Sequence, residues 1–299
     1  MMFASRLARL SACGALFCLL AVAVKAADVP DLVLWPGGMP EPVVPSTEAE
    51  RVEKGADGIA RRYNISKPRL VVYRPPAGVK AGKTGIVVVP GGGFGLLADG
   101  HEGSEACEWL AKAGITSFLL LHRTPTNKHP EPSTGPVQDL QKGVMEVRKR
   151  AGEFGLDPAL IGVFGFSAGG QVALIAATNE PKFERPAGSA SYKPDFLLAI
   201  YPYKIYDQPN KALRADIHTD AGLPPTFIAQ MGDDPASLAQ GSTLLYLDLL
   251  NRKVPAELHI YEKGGHGFGM RARSGAPGTA DWANRAMEWL RLRGYAPAP

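Results

Sequence analysis

A serine hydroxyl becomes a nucleophile when a neighbouring base removes its proton, and that base is usually a histidine held by a carboxylate. The sequence offers one well-framed serine for such chemistry. Phe164-Gly165-Phe166-Ser167-Ala168-Gly169-Gly170 has the G-x-S-x-G spacing of a nucleophile elbow, in which a strand turns sharply into a helix with the serine at the bend. Gly165 and Gly169 leave room for a turn whose backbone crowds its neighbours. A pattern this short also arises by accident, so its weight depends on partners elsewhere in the chain.

Of the six histidines, His266 stands apart. It lies in Gly264-Gly265-His266-Gly267-Phe268-Gly269, where a glycine-rich backbone can present an imidazole at the edge of a sheet. His101, His122, His129, His218 and His259 fit ordinary places: a helix entry, a strand end, a Pro-rich loop, an insertion loop and an alternating strand position. For the carboxylate, Asp233 and Asp234 follow an apolar run at 226–231 and precede a helical pattern. Either would serve as a helix N-cap. Asp234 is the preferred partner of the histidine, with Asp233 capping or supporting.

Acyl transfer also needs N–H donors aimed at a developing oxyanion. Ala168, next after the serine, supplies one. The run Pro90-Gly91-Gly92-Gly93-Phe94-Gly95 supplies the other, with Gly92 and Gly93 ahead of Phe94. That run lacks the lysine of a phosphate-binding loop and the G-x-G-x-x-G spacing. No set of His, Cys, Asp and Glu has metal-ligand spacing. The site is expected to work without metal or cofactor.

The elements that must position these residues are legible as short apolar runs alternating with helical patterns. Strands are expected at 69–73, 85–89, 115–121, 161–164, 196–200, 226–231 and 256–261, and helices at 102–113, 137–154, 168–178, 236–252 and 280–293. Gly85 to Val89 is wholly apolar and β-branched, as a central parallel strand covered on both faces requires. The alternation predicts an α/β fold, a mostly parallel sheet with helices on both faces. The serine, the acid and the histidine occur in the order that α/β-hydrolases use. Residues 67–299 form the expected catalytic domain, with a small cap or rim at about 201–225 and an extended Pro-rich arm at 27–66.

Residues 1–26 read as a signal peptide. Arg6 and Arg9 precede an apolar stretch from Leu10 to Val24, and Val24-Lys25-Ala26 suits a signal peptidase. Its removal takes three of the 33 Lys+Arg and none of the 29 Asp+Glu, leaving a net charge of +1. Such a balance gives no reason to expect nucleic acid or an anionic membrane as partner. Cys13 and Cys18 leave as well, so Cys107 stays alone, as a small core residue. The expected location is periplasmic or secreted, with no stable membrane insertion after cleavage.

VVVPGGGFG, DGHEG (Asp99 to Gly103), GVFGFSAGG, PPTFIAQMGDDP and AELHIYEKGGHGFG, with the opening LWPGGMPEP, together resemble secreted α/β-hydrolase esterases of the acetyl xylan esterase and hemicellulose-deacetylating kind. The likeness spans most of residues 32–293. It implies a serine carboxylesterase with Ser167, Asp234 and His266 as its triad and a small-molecule, oligosaccharide or polysaccharide ester as substrate. Pro90 stands where lipases of the HGGG type carry histidine, as is usual in this group. Phe94, Glu102, Phe166 and Tyr201 are candidate substrate contacts, and Tyr201, Tyr203 and Tyr206 either stack on sugar rings or pack in the core. Asp99, His101 and Glu102 either line the site or cap a helix. Two other readings keep the fold: a peptidase of the prolyl-oligopeptidase type, and a non-catalytic binding protein. The first lacks space for a propeller domain, and the second usually loses a triad member, whereas none is missing here.

Overall fold

Successive residues of a strand face opposite sides of its sheet. In Gly85–Val89, Ile86 and Val88 enter one apolar core while Val87 and Val89 enter another, and all four are inaccessible to solvent. This is why the run carries no polar residue. The computed structural model describes residues 29–42 and 48–298. The expected signal peptide, with Cys13 and Cys18, lies outside the described residues.

In chain order the elements are β1 (Leu32–Val33), β2 (Arg51–Lys54), β3 (Ala60–Tyr63), β4 (Arg69–Tyr73), β5 (Gly85–Val89), α1 (Glu105–Lys112), β6 (Thr116–Leu121), α2 (Thr134–Lys149), β7 (Ile161–Phe166), α3 (Ala168–Thr178), β8 (Leu197–Ile200), β9 (Tyr206–Asp207), β10 (Ala212–Leu213), β11 (Thr226–Met231), α4 (Ala239–Asn251), β12 (Ala256–Tyr261) and α5 (Gly278–Leu292). Eight strands form one sheet in the order β1-β4-β6-β5-β7-β8-β11-β12. β1 and β4 are antiparallel additions; the other neighbours pair parallel.

Helices cover both faces. Side chains of α2, α3 and α4 enter one core, and those of α1 and α5 enter the other. α3 is buried along its whole length, which accounts for its apolar composition on every side. α5 turns Trp282, Ala286, Trp289 and Leu290 inward. Among the described residues, no helix is long and apolar enough to cross a membrane.

Two departures from the expected elements bear on the site. Glu102 does not open a regular helix: residues Gly100–Ser104 form a wider turn that aims buried His101 and Glu102 inward before α1 begins at Glu105. Within the arm expected at 27–66, the described residues contribute β1 to the sheet and an antiparallel hairpin, β2–β3. Arg62 on β3 pairs with Asp99 at 2.7 Å, at the entry to the wide turn. The insertion at 201–225 carries the small ribbon β9–β10.

Cys107 is wholly buried in α1, and desolvation pushes its thiol up to about 12. A thiol reagent such as dithionitrobenzoate is expected to leave Cys107 untouched until the protein unfolds. Modification of this residue in the native state would show that α1 detaches from the sheet.

Candidate active site

Val89 of β5 lies opposite Gly165 of β7, and Phe166 of β7 opposite Ile200 of β8. The residues just beyond these strands therefore meet at the carboxyl edge of the sheet, with the glycine loop on one side of Ser167 and Tyr201 on the other. The chain leaves β5 for β6 on one side and returns to β7 on the other. Such a divergence opens a crevice at the strand ends.

Ser167 sits at φ 49°, ψ −119°, a conformation that L-residues rarely adopt and that clusters at functional sites. The surroundings hold it there. Its N–H donates to Ile200 O at 3.0 Å, and its carbonyl accepts from the Tyr203 N–H at 2.9 Å. A Cβ on Gly169 would overlap the Val89 carbonyl oxygen, so only glycine lets α3 start this close to β5.

From Ser167 a chain of hydrogen bonds runs outward along the edge. Ser167 Oγ lies 2.7 Å from His266 Nε2, and His266 Nδ1 lies 2.8 Å from Asp234 Oδ2. A carboxylate at Nδ1 assigns the proton to that nitrogen and leaves Nε2 free to accept the serine proton. The Asp234 side chain is inaccessible. Its Oδ1 accepts the N–H groups of Ala236 and Ser237 at 2.8 and 2.9 Å, and Gln230 Nε2 donates to Oδ2 at 3.3 Å. Asp233 does different work, accepting the N–H groups of Gly264 and Gly265 at 2.9 and 2.7 Å and so tying down the histidine loop.

The glycine loop packs against the serine: a Cβ on Gly91 would fall 2.7 Å from Ser167 Cβ and 2.7 Å from Glu102 Oε2. Gly91 donates its N–H to Glu102 Oε2 at 2.7 Å. Among the described residues, the loop's other hydrogen bonds engage the Gly91, Gly92 and Phe94 carbonyls, and the Gly92 and Gly93 N–H groups take no part. Ala168 opens α3, where the first N–H groups have no partner within the helix. Among the described residues, the Ala168, Gly92 and Gly93 N–H groups are thus left without protein acceptors.

Four candidate substrate contacts have different fates. Phe94 lines a cleft of about 520 Å³ together with Gly93, Gln171 and Tyr203, the last tied to the Ser167 carbonyl by its N–H at 2.9 Å. Phe166 and Tyr201 do not reach it. Both are fully buried, Phe166 among Phe164, Tyr201 and Trp282, and neither offers a ring face to a sugar. Glu102 is also buried, with both oxygens engaged by protein. Tyr203 and Tyr206 lie on the rim, where they line a second groove of about 770 Å³ that shares Tyr203, Lys204, Arg214 and Asp216 with the first. Asp99 is occupied by Arg62 rather than by the cleft.

Arg273 escaped the sequence reading. Its guanidinium donates to the carbonyls of Gly264, His266 and Gly267 at 2.6, 2.8 and 2.9 Å, so it holds the carbonyls of the histidine loop as Asp233 holds its N–H groups. No spacing rule marks such a residue. An arginine a few positions beyond a glycine loop is the faint signal that could have found it.

The sheet and the arrangement at its edge define the class: this is an α/β-hydrolase fold. Within that class the chain is similar to carbohydrate-active and other carboxylic ester hydrolases. The family described as BD-FAE matches residues 70–201. An acetylxylan esterase of Xylanibacter ruminicola is 29% identical over 231 residues, covering 68% of this chain and 44% of the relative. Endo-1,4-beta-xylanase B of Butyrivibrio fibrisolvens is 27% identical over 67% of this chain and 34% of its own length. The chain thus spans less than half the length of these curated relatives. Among solved structures, an acetyl ester-xyloside bifunctional hydrolase from Caldicellulosiruptor lactoaceticus superposes with a TM-score of 0.66 at 26% identity, over 90% of this chain and 97% of the other. The propionate-bound Est2 esterase of Thermogutta terrifontis shares the fold, with a TM-score of 0.64 at 22% identity over 87% and 98% of the two chains.

Proposed function

We propose that this protein is an exported serine carboxylesterase that removes acetyl or other short acyl groups from carbohydrate. The observation that carries the reading is the hydrogen-bond chain Ser167–His266–Asp234, at 2.7 and 2.8 Å, beside unspent N–H groups at the strand ends. The likeness to an acetylxylan esterase and to an acetyl ester-xyloside hydrolase supports the substrate class. Export rests on residues 1–26.

In this mechanism Ser167 Oγ attacks the ester carbonyl as His266 Nε2 takes its proton. The carbonyl π electrons move to oxygen, and the N–H groups of Ala168 and of Gly92 or Gly93 hold the oxyanion. When the oxyanion collapses, the bond to the alcohol breaks and His266 returns its proton to the leaving oxygen. Water repeats the sequence on the acyl-enzyme, freeing the acid and Ser167. Asp234 keeps His266 in the required tautomer and stabilises the imidazolium.

The 520 Å³ cleft suits a hydroxyl-rich alcohol. Asn127, Tyr203 and Lys204 give its lining polar groups that can meet sugar hydroxyls, whereas the amide NH₂ groups of Gln138, Gln141, Gln171 and Asn179 are spent on backbone carbonyls. Acetate release across acetylated xylan, glucomannan, pectin and acetylated monosaccharides tests this reading. Turnover of the acetylated saccharides well above that of long-chain lipid esters is expected. Inactivity on every acetyl ester, or faster cleavage of dipeptidyl p-nitroanilides, would overturn it.

A further inference from the structure

Burying a carboxylate is costly, and for stability alone an apolar residue often does as well. Glu102 is 2% exposed, and its one ion-pair neighbour among the described residues is His101, at 3.8 Å. Where its two oxygens point accounts for its presence. Oε2 accepts the Gly91 N–H of the glycine loop at 2.7 Å, and Oε1 accepts the Tyr201 hydroxyl at 2.9 Å. The Tyr201 oxygen in turn accepts the Gly269 N–H at 2.9 Å, three residues beyond His266.

The same turn makes further contacts with the histidine loop. His101 Nε2 lies 3.0 Å from Gly267 O, and the His101 carbonyl accepts the Met270 N–H at 2.9 Å. The Tyr201 ring stands edge-on to the His266 imidazole, with centroids 5.1 Å apart. Burial and the adjacent Glu102 charge push the Tyr201 phenol well above its ordinary value, so the hydroxyl stays protonated as a donor to Glu102.

We infer that Glu102 and Tyr201 are positioning residues, a buried strut that sets the distance between the oxyanion loop and the histidine loop. This inference rests on the esterase reading above. Both loops are glycine-rich and have no intrinsic reason to hold one shape. Attack on a carbonyl requires the donors and the base in register, and an error of 1 Å costs on the order of 100-fold in rate. The strut ends on backbone N–H groups of both loops, Gly91 at one end and Gly269 at the other.

Tyr201→Phe tests this most cleanly, because it keeps the ring and its packing while deleting the hydroxyl that joins the two loops. With active sites titrated, kcat toward p-nitrophenyl acetate is expected to fall about tenfold while KM stays within about twofold. The rate of inactivation by a fluorophosphonate should fall in parallel. Glu102→Gln keeps an acceptor for the Gly91 N–H and should retain more activity than Glu102→Ala. Should Glu102→Ala not fold, Tyr201→Phe decides. A lower melting temperature with kcat per titrated site unchanged would mean the residues serve stability alone, and would overturn the inference. A wild-type protein inert toward every ester would overturn the esterase reading and this inference with it. An active wild type matched by Tyr201→Phe overturns only the strut.

Discussion

Replacing Ser167 with alanine is expected to lower kcat for ester hydrolysis by about 10,000-fold or more, leaving only what binding and the oxyanion donors contribute. The substitution removes the one oxygen that His266 Nε2 faces at 2.7 Å. It keeps the Cβ, so the unusual backbone at φ 49° is neither relieved nor worsened, and the contact with Gly91 persists. The melting temperature should therefore move little, which separates lost chemistry from lost fold. Hydrolysis of p-nitrophenyl acetate by the variant at rates near wild type would place the nucleophile elsewhere.

Asp234→Asn is expected to cost nearly as much, on the order of 10,000-fold in kcat, with KM little changed. The reason lies in the four donors that surround this carboxylate. Oδ2 faces the His266 Nδ1–H and Gln230 Nε2, and Oδ1 accepts the Ala236 and Ser237 N–H groups. An asparagine that keeps its oxygen on the backbone donors presents an NH₂ group to Nδ1. His266 must then carry its proton on Nε2, where it cannot accept one from Ser167. The opposite orientation sets the NH₂ group against two N–H donors in a site closed to water, which leaves buried donors unpaired. Either way catalysis suffers. The same change at Asp233, whose side-chain hydrogen bonds among the described residues go to the Gly264 and Gly265 N–H groups, should be far milder. Parallel steady-state kinetics of the two variants would decide between the aspartates, and a greater loss at Asp233 would reverse the assignment.

Much of this arrangement was legible in the sequence, because strand-end chemistry leaves local marks. β5, β7 and β11 are short apolar runs buried on both faces, and the residues following them carry the glycines, the serine and the aspartates. Positions beyond the strand ends were harder. Tyr201 fits either sugar stacking or core packing, because a sequence does not tell whether a residue one step past β8 turns toward the cleft or back under the histidine loop, and the structure buries it. Phe166 failed for a related reason: β7 continues through it, and its ring belongs to the core beneath the elbow. Glu102 resembled the first residue of a helix, and only the wide turn at Gly100–Ser104 rotates it inward. The hairpin β2–β3 left no hydrophobic alternation, since Arg51–Lys54 are exposed and ion pairs such as Arg69–Glu50, at 2.7 Å, tie this region to the domain. Its Asp57-Gly58 turn was the available signal.

The central claim is that Ser167 receives the acyl group, and covalent trapping tests it most directly. Treatment with a fluorophosphonate followed by peptide mass spectrometry is expected to place one adduct on the peptide containing Ser167, in step with loss of esterase activity. His266→Ala should slow that labelling, because the same base activates the hydroxyl for ester and for probe. An active esterase whose adduct falls on another residue, or which the probe leaves unlabelled, would contradict the account.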